Sequence, residues 1–210
     1  MNDDATADQL DDLAMLLTYE GAADLTGWET ADAAHPHEVA PDIYLLPFWT
    51  PAFCSAVIRA AELIGFEPDS DDPVPGHEVS LASISPALYG AVQGDVGGRI
   101  WPQLQAMWPL IEYRGLRDAF VIRYLPDEQE SLRIHQDIAQ VSASVRLNDD
   151  YEGAALTFPR QGYDNIAQPV GSLLAWPSLV THPHEASRLT RGVKYGLTIW
   201  CELPGDAAIY

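Results

Sequence analysis

The sequence has little positive charge, little cysteine and no long apolar run. Its 210 residues hold 11 lysines and arginines against 31 aspartates and glutamates, a net charge of −20. Nucleic acids and anionic membranes are bound by clusters of basic residues, so neither is an expected partner. No apolar run reaches the ~18 residues of a membrane span. The acidic start MNDDATADQLDDLAM lacks the features of a signal peptide. Because Cys54 and Cys201 do not make a disulfide framework, a cytoplasmic location is expected.

Lysine is the rarest charged residue of the chain. There are ten arginines and a single lysine, Lys194, so arginine serves wherever a generic surface cation is needed. Lys194 stands in the apolar run VKYGLTI, where a charge needs a partner. Its role must therefore be inferred from its neighbours.

The first half of the chain reads as helical. Residues 1–40 form an acidic N-terminal extension, with a helix predicted over DQLDDLAMLLTYEGAADL and a loop over AAHPHEVAP. IYLLPF predicts a strand. TPAFCSAVIRAAELIGF predicts a helix with a threonine cap, proline at its first position and glycine at its exit. EPDSDDPVPGHE reads as a loop, and residues 79–112 suggest a second helix that ends near Gly115.

The second half reads as strands. From residue 118 onward short β-rich runs follow closely: AFVIRYL, QVSASVRL, AALTF, NIAQPV, SLLAW and KYGLTIWCEL. Turn clusters such as NDDYEG and PRQGYD separate them, which is typical of an antiparallel sandwich or barrel. We expect an α+β fold in which helices buttress one sheet. One domain over 41–210 is predicted, with its core motifs over 118–204.

A histidine and a carboxylate stand two residues apart in LRIHQDIAQ. On an extended chain His135 and Asp137 point the same way, so both can reach one metal ion. Two histidines and one carboxylate occupy one face of an octahedron and leave three positions open, the usual arrangement of non-haem Fe(II). The spelling H-x-D alone is a weak signal, because such pairs also occur by chance in solvated loops.

The third ligand has two candidates in THPHEA, His182 and His184. Nearly the same spelling, AHPHEV, occurs at 34–39. His35 and His37 in that stretch have no partner motif nearby and are not expected to bind metal. THPHEA leads instead into RGVKYGLTIW, the last predicted strand.

A cation near such a metal would suit a dicarboxylate cosubstrate such as 2-oxoglutarate. The cosubstrate chelates the metal through its 2-oxo acid end, and a lysine or arginine on a neighbouring strand binds its far carboxylate by a charge-assisted hydrogen bond. Lys194 is the candidate. In QVSASVRL, Ser142, Ser144 and Arg146 alternate with apolar residues, so one face of that strand is polar and would look into the cavity.

Three stretches of the chain resemble the 2-oxoglutarate- and Fe(II)-dependent dioxygenase superfamily, in particular the catalytic domain of procollagen lysyl hydroxylases and their prolyl 4-hydroxylase relatives. They are FVIRYLPDEQESLRIHQD, DYEGAALTF and THPHEASRLTRGVKY. The likeness is strong over about 118–204, loose over 41–117 and absent from 1–40. It implies a double-stranded β-helix, or jelly-roll, core buttressed by N-terminal helices.

The resemblance also assigns site residues. It makes His135, Asp137 and His184 the iron ligands, and it selects His184 because the family's basic residue, here Lys194, falls ten positions after its metal-binding histidine. That residue is arginine in lysyl hydroxylases and lysine in collagen prolyl hydroxylases. Tyr124 falls where relatives place a group near the cosubstrate.

Two positions of the polar strand depart from the lysyl hydroxylases. Ser144 stands where they have an asparagine that contacts the cosubstrate. Arg146 stands where they have a small residue. Three roles stay open for it: sharing the far carboxylate with Lys194, meeting an acidic substrate, or lying on an exposed sheet edge. This difference argues against a lysyl substrate.

The resemblance implies a reaction with Fe(II), 2-oxoglutarate and O2. An unactivated C–H bond of an amino-acid or peptidyl side chain is hydroxylated, while 2-oxoglutarate is decarboxylated to succinate and CO2. No catalytic residue beyond the metal centre is expected, and Trp176 and Tyr195 are expected near the cavity as core aromatics. The alternative is a metal-binding β-sandwich that is not an oxygenase, such as a cupin-like isomerase or a sensor. It would keep the three ligands but would not need Lys194.

Overall fold

A computed structural model describes residues 6–19, 35–68 and 74–204 of the chain. Within these ranges the α-helices are α1 (Ala7–Leu17), α2 (Pro51–Ile64), α3 (Leu81–Ile84), α4 (Pro86–Asp95) and α5 (Trp101–Met107). A π-helical segment, Val96–Ile100, joins α4 to α5. None of the helices in the described ranges has the length and apolar character needed to cross a membrane.

The strands follow in three antiparallel sheets. They are β1 (His37–Ala40), β2 (Ile43–Pro47), β3 (Glu67–Pro68), β4 (His77–Ser80), β5 (Leu116–Tyr124), β6 (Leu132–His135), β7 (Val141–Arg146), β8 (Glu152–Gly153), β9 (Leu156–Phe158), β10 (Tyr163–Asp164), β11 (Ser172–Pro177), β12 (His184–Ala186), β13 (Leu189–Arg191) and β14 (Lys194–Cys201). The large sheet has the order β1-β2-β11-β7-β14-β5-β4-β3, and the small sheet has the order β10-β9-β12-β6. A separate pair joins β13 to β8.

The large sheet uses its two faces differently. On one face, side chains such as Val121, Val145 and Leu197 join the apolar residues of the helices in the main core. On the other face, side chains such as Ile122 and Trp176 pack toward the small sheet. Alternation along each strand produces this division. Helices cover one face of a jelly roll, which confirms the predicted α+β architecture.

Helix α2 begins and ends where its sequence predicts. The Thr50 hydroxyl accepts a hydrogen bond from the Phe53 backbone N–H at 3.2 Å, and Pro51 takes the first helical position. The helix ends before Gly65, whose φ of 99° is easily reached only by glycine. The cap and exit therefore fix α2 from local sequence alone.

Other predicted boundaries were wrong. The stretches read as loops contain β1, β3 and the start of β4, which are short strands at or near the edges of the large sheet. The single helix predicted over 79–112 is broken, because Ser85 is extended before Pro86 and caps a new helix through the Leu88 N–H at 3.1 Å. The predicted strand NIAQPV is a turn in which the Asn165 side chain bonds to the Leu156 N–H and to Gln168.

Helix α1 packs on the same core as the later helices. Leu13 and Leu16 are buried there, and the Ser85 hydroxyl donates to the Leu16 carbonyl at 2.6 Å. The helix predicted over DQLDDLAMLLTYEGAADL ends at Leu17 in the described part, and its remainder from residue 20 lies outside the described residues. The division of the chain at residue 40 stays a prediction.

Candidate metal centre and cosubstrate cavity

Two strands of the small sheet bring two histidines together. His135 ends β6, His184 begins β12, and the two residues are paired across these antiparallel strands. Their ring centroids are 4.4 Å apart. Asp137 follows β6 by two residues, and its carboxylate oxygens lie 3.6 Å from the Nε2 atoms of both histidines. One ligand atom from each residue lies within 4.8 Å of the others, close enough to share one metal ion.

Backbone carbonyls orient both rings. Nδ1 of His135 lies 2.9 Å from the carbonyl oxygen of Arg133, and Nδ1 of His184 lies 3.0 Å from that of His182. A ring nitrogen that faces a carbonyl carries the proton, which leaves the lone pair on Nε2, the nitrogen that faces Asp137. Burial also lowers the pKa of His184, so that ring is held neutral. Both imidazoles are thus prepared to bind a metal.

Asp137 supports the same conclusion. Its side chain is buried, with the residue 5% exposed, and its Oδ2 atom accepts no hydrogen bond from the described residues. A buried carboxylate oxygen without a partner is costly. A divalent cation between the three residues would satisfy it, and two imidazoles with one carboxylate match the facial set used for non-haem Fe(II). The residues present therefore fit an iron ion.

The structure separates His182 from this group. Its Nε2 lies 3.2 Å from the Pro41 carbonyl oxygen and its Nδ1 lies 2.9 Å from the Thr181 hydroxyl. His182 therefore links the turn between β1 and β2 to the segment before β12. His35 and His37 are exposed, just before and within β1.

A cavity of about 400 Å³ lies between the sheets and includes the three metal-binding candidates. Its other walls come from the large sheet, where the cavity-facing side chains of β14 run from Lys194 to Trp200. Lys194 is paired with Tyr124 on β5, and Trp200 is paired with Asp118. Trp200 lies six positions after Lys194, which is about 20 Å at the rise of an antiparallel strand.

Lys194 is buried at its end of the cavity without a carboxylate partner among the described residues. It is 7% exposed, and its Nζ donates to the Ala154 carbonyl at 2.5 Å. Nζ also lies 4.8 Å from the ring centroid of Tyr124. Burial, with a smaller contribution from the charge of Arg146, lowers the pKa of Lys194 to about 7. An ammonium has three N–H donors, so this position suits a carboxylate brought by a ligand.

Of the other three residues predicted to bind the cosubstrate, two line the cavity and one does not. Tyr124 and Ser144 line the cavity, whereas Arg146 does not. The Arg146 guanidinium donates to the backbone carbonyls of Asn148 at 3.0 Å, Ile166 at 2.7 Å and Gln168 at 2.8 Å. The guanidinium donors of Arg146 hold this loop in place. The geometry therefore does not favour the predicted contact between Arg146 and a cosubstrate.

The two predicted core aromatics lie on opposite faces of the large sheet. Trp176 lines the cavity, and its ring centroid is 5.1 Å from that of His184. Tyr195 faces the helices, where its hydroxyl donates to the Glu62 carboxylate at 2.6 Å. Only Trp176 can therefore contact a bound molecule in the cavity.

Three charged residues that line the cavity, Glu78, Arg117 and Asp118, are absent from the sequence-based predictions. The ladder between β5 and β14 pairs Trp200 with Asp118 and then Cys201 with Leu116, so Arg117 is an extra residue in β5. Such a β-bulge interrupts the alternation of side chains. No sequence signal marks it, since simple alternation places Arg117 and Asp118 on opposite faces.

Comparison with known proteins agrees with this geometry. The chain is 29% identical over 167 residues to procollagen-lysine,2-oxoglutarate 5-dioxygenase 1 of Mus musculus, covering 74% of this chain and 23% of that protein. The solved structure of viral collagen prolyl hydroxylase from Paramecium Bursaria Chlorella virus-1 has a TM-score of 0.61 at 16% identity, covering 79% of this chain and 100% of that chain. A Pseudomonas putida prolyl-4-hydroxylase has a TM-score of 0.57 at 18% identity, covering 78% and 94%. No model of a known protein family matches the chain.

A jelly roll that carries two histidines and a carboxylate at one end of its internal cavity is the arrangement of a mononuclear iron dioxygenase. The likenesses confirm the resemblance seen in the sequence: the chain is similar in sequence to procollagen lysyl hydroxylases and in fold to prolyl 4-hydroxylases. It spans about a quarter of the length of the curated relatives it matches.

Proposed function

We propose that this chain is a hydroxylase that uses Fe(II), 2-oxoglutarate and O2. It hydroxylates an unactivated C–H bond of an amino-acid or peptidyl side chain and converts 2-oxoglutarate to succinate and CO2. One observation carries the proposal: a prepared metal-binding triad and a buried lysine without a carboxylate partner in the described chain share one cavity. Relatives named as lysine and prolyl hydroxylases support a side-chain substrate.

Each residue has a defined part in this proposal. His135, Asp137 and His184 would hold the iron on one face and leave the other coordination positions for cosubstrate and dioxygen. A bound iron would supply the activation of dioxygen, whose reduction takes two electrons from the cosubstrate and two from the C–H bond. The Lys194 ammonium would bind the far carboxylate of 2-oxoglutarate by a charge-assisted hydrogen bond. Tyr124, whose ring lies beside Nζ, would hold the lysine in position.

Apolar walls surround the polar groups of the cavity. Phe120, Ile122 and Leu156 line it, and the rings of Trp176 and Phe158 enclose His184 at centroid distances of 5.1 and 5.4 Å. Such walls exclude water, which strengthens the interaction between Lys194 and a carboxylate and protects the reaction from solvent.

The alternative, a metal-binding protein without oxygenase activity, explains the triad but not Lys194. Burying an ammonium with a single carbonyl partner has no purpose in a site that binds metal alone. A cytoplasmic location is part of our proposal, and it is supported by the free, buried state of Cys54 and Cys201.

The test is succinate formation from 2-oxoglutarate by anaerobically purified protein that is given Fe(II) and then air. A panel of amino acids and basic peptides is compared with no addition, and bound iron is measured in parallel. We expect succinate production stimulated by a substrate, and we expect Lys194→Ala to abolish it while keeping one equivalent of iron. Arg188→Gln, which alters an exposed ion pair with Glu130, is the matched control. No succinate under any condition, with iron bound, would favour the non-oxygenase alternative.

A further inference from the structure

The bulge in β5 places opposite charges side by side at the cavity. Leu116 and Ala119 point into the main core beneath the helices. Arg117 and Asp118, which lie between them, both line the cavity. Regular alternation would have left one of the two on the helix face, so the extra residue is what brings a cation and an anion to the same wall.

This charged pair belongs to the metal end of the cavity. The Arg117 guanidinium donates through Nη1 to the carbonyl of Ile138 at 2.6 Å, and Ile138 directly follows the metal-binding candidate Asp137. Oδ1 of Asp118 accepts the backbone N–H of Ala119 at 2.7 Å, which orients its carboxylate. The lysine proposed to bind 2-oxoglutarate lies at the opposite end of β14, so the pair is not needed for the cosubstrate.

An unpartnered donor stands beside the pair. Trp200, which is paired with Asp118 across the ladder, lines the cavity with its indole packed edge-to-face on Phe120 at a centroid distance of 5.1 Å. Its Nε1 is buried and has no hydrogen-bond partner within residues 6–19, 35–68 and 74–204. A buried N–H without an acceptor is unfavourable, and an anionic ligand group would supply the acceptor.

We infer that the substrate is a free amino acid, held by its α-carboxylate on Arg117 and Trp200 and by its α-ammonium on Asp118. The inference rests on the proposed hydroxylase function and names its substrate class. A free amino acid carries both charges on one carbon, and successive Cα atoms of the protein are only 3.8 Å apart. Neighbouring residues of opposite charge therefore match the zwitterion, while its side chain extends toward the metal.

A peptide would use this wall poorly. Within a peptide the same two groups are neutral amides, which cannot form ion pairs with the guanidinium or the carboxylate. A blocked end therefore loses the charge-assisted hydrogen bonds that the guanidinium and the carboxylate form with a free amino acid. The bulge thus favours the free amino acid over a residue inside a protein chain.

The experiment compares blocked and free forms of the same substrate. Each of the twenty common amino acids is supplied to the Fe(II)-loaded protein with 2-oxoglutarate, and succinate is measured. For the most active one, the α-amide and the N-acetyl derivative are tested, and binding of all three forms is measured by anaerobic calorimetry. We expect kcat/KM and affinity to fall on the order of 100-fold when either end is blocked. The KM for 2-oxoglutarate should stay within about twofold.

Variants identify the residues responsible. Arg117→Gln should weaken the free acid on the order of 100-fold and should remove most of its advantage over the amide. Asp118→Asn should weaken the free amino acid by a similar factor and should remove most of its advantage over the N-acetyl form. Arg188→Gln, on the surface away from the cavity, should change neither ratio. The inference is overturned if Arg117→Gln behaves like Arg188→Gln.

Two other outcomes overturn the inference and differ in what they leave standing. If only peptides or blocked amino acids stimulate succinate formation, the substrate class is wrong and the hydroxylase proposal is retained. If no tested compound gives succinate although iron is bound, the proposed function fails along with the inference.

Discussion

The buried state of Lys194 gives cosubstrate binding a characteristic dependence on pH. Without a ligand, burial lowers the pKa of this lysine from its ordinary 10.5 to about 7. A bound carboxylate stabilises the ammonium and raises that pKa again. Binding of 2-oxoglutarate above pH 7 must therefore take up a proton from solution.

The size of the effect follows from the pKa of the free protein. At pH 8 the free protein holds the lysine only about 0.1 charged, so each binding event should take up about 0.9 proton; at pH 6 the uptake is about 0.1. Affinity for 2-oxoglutarate should then fall about tenfold between pH 8 and pH 9. In the ligand-free protein the unfolded state binds more protons between pH 7 and 10.5, so the free energy of unfolding rises with pH across that window.

Calorimetry of 2-oxoglutarate binding to the anaerobic Fe(II)-loaded protein measures the uptake directly. At pH 8 the heat should differ between two buffers with different ionisation enthalpies, and at pH 6 the difference should nearly vanish. Lys194→Arg is the matched control, since its guanidinium stays charged and should bind without pH dependence. Lys194→Met should weaken binding by about 1.5–3 kcal/mol, the contribution of a charged hydrogen bond. Equal heats in both buffers at pH 8 would refute the reasoning.

Three further predictions concern the metal site and the backbone around it. Asp137→Asn should abolish the rise in Tm that Fe(II) produces without lowering the metal-free Tm, because Oδ2 has no hydrogen bond to lose; a lower metal-free Tm in a thermal scan would contradict this. His182→Ala should keep one equivalent of iron and lose about 1 kcal/mol of stability in urea, since it frees the Pro41 carbonyl; loss of iron would make His182 a ligand. Gly171→Ala should cost about 3 kcal/mol or more in urea unfolding, because its φ is 81° and a Cβ would lie 1.9 Å from the Trp49 carbonyl oxygen; unchanged stability would contradict the contact.

Local signals were enough for part of the fold. The cap at Thr50 and the exit at Gly65 predicted α2, and the alternation in QVSASVRL predicted the strand β7, although of its three polar residues only Ser144 lines the cavity. The strands β1, β3 and β4 were missed because they have only four, two and four residues, too few for an alternation of apolar and polar side chains to stand out.

The residues alone did not distinguish His182 from His184 as the third metal ligand. Both stand in THPHEA, and residues two apart on an extended chain would point the same way. The chain is not regular there: His182 ends a short 3-10 helix with φ −126° and ψ 63°, and β12 begins only at His184. Pairing with His135 on β6 then places His184 in the group. The resemblance to known dioxygenases selected His184, whereas the physical reason is a long-range strand pairing.

A regular ladder between β5 and β14 connects the two ends of the cavity, and the bulge at Arg117 lies beyond it. The ladder between β5 and β14 is regular from Lys194 to Trp200 and breaks only beyond it. The helix-facing residues of the same stretch, such as Leu197 and Ile199, are completely buried. Because this rigid element carries both the cosubstrate cation and the wall beside the charged pair, the distance between them is fixed by strand geometry. A substitution at one end should thus change the affinity of the ligand bound there and leave the affinity of the other ligand unchanged. The ratio of activity with the blocked substrate to activity with the free substrate therefore reports the contribution of Arg117 alone.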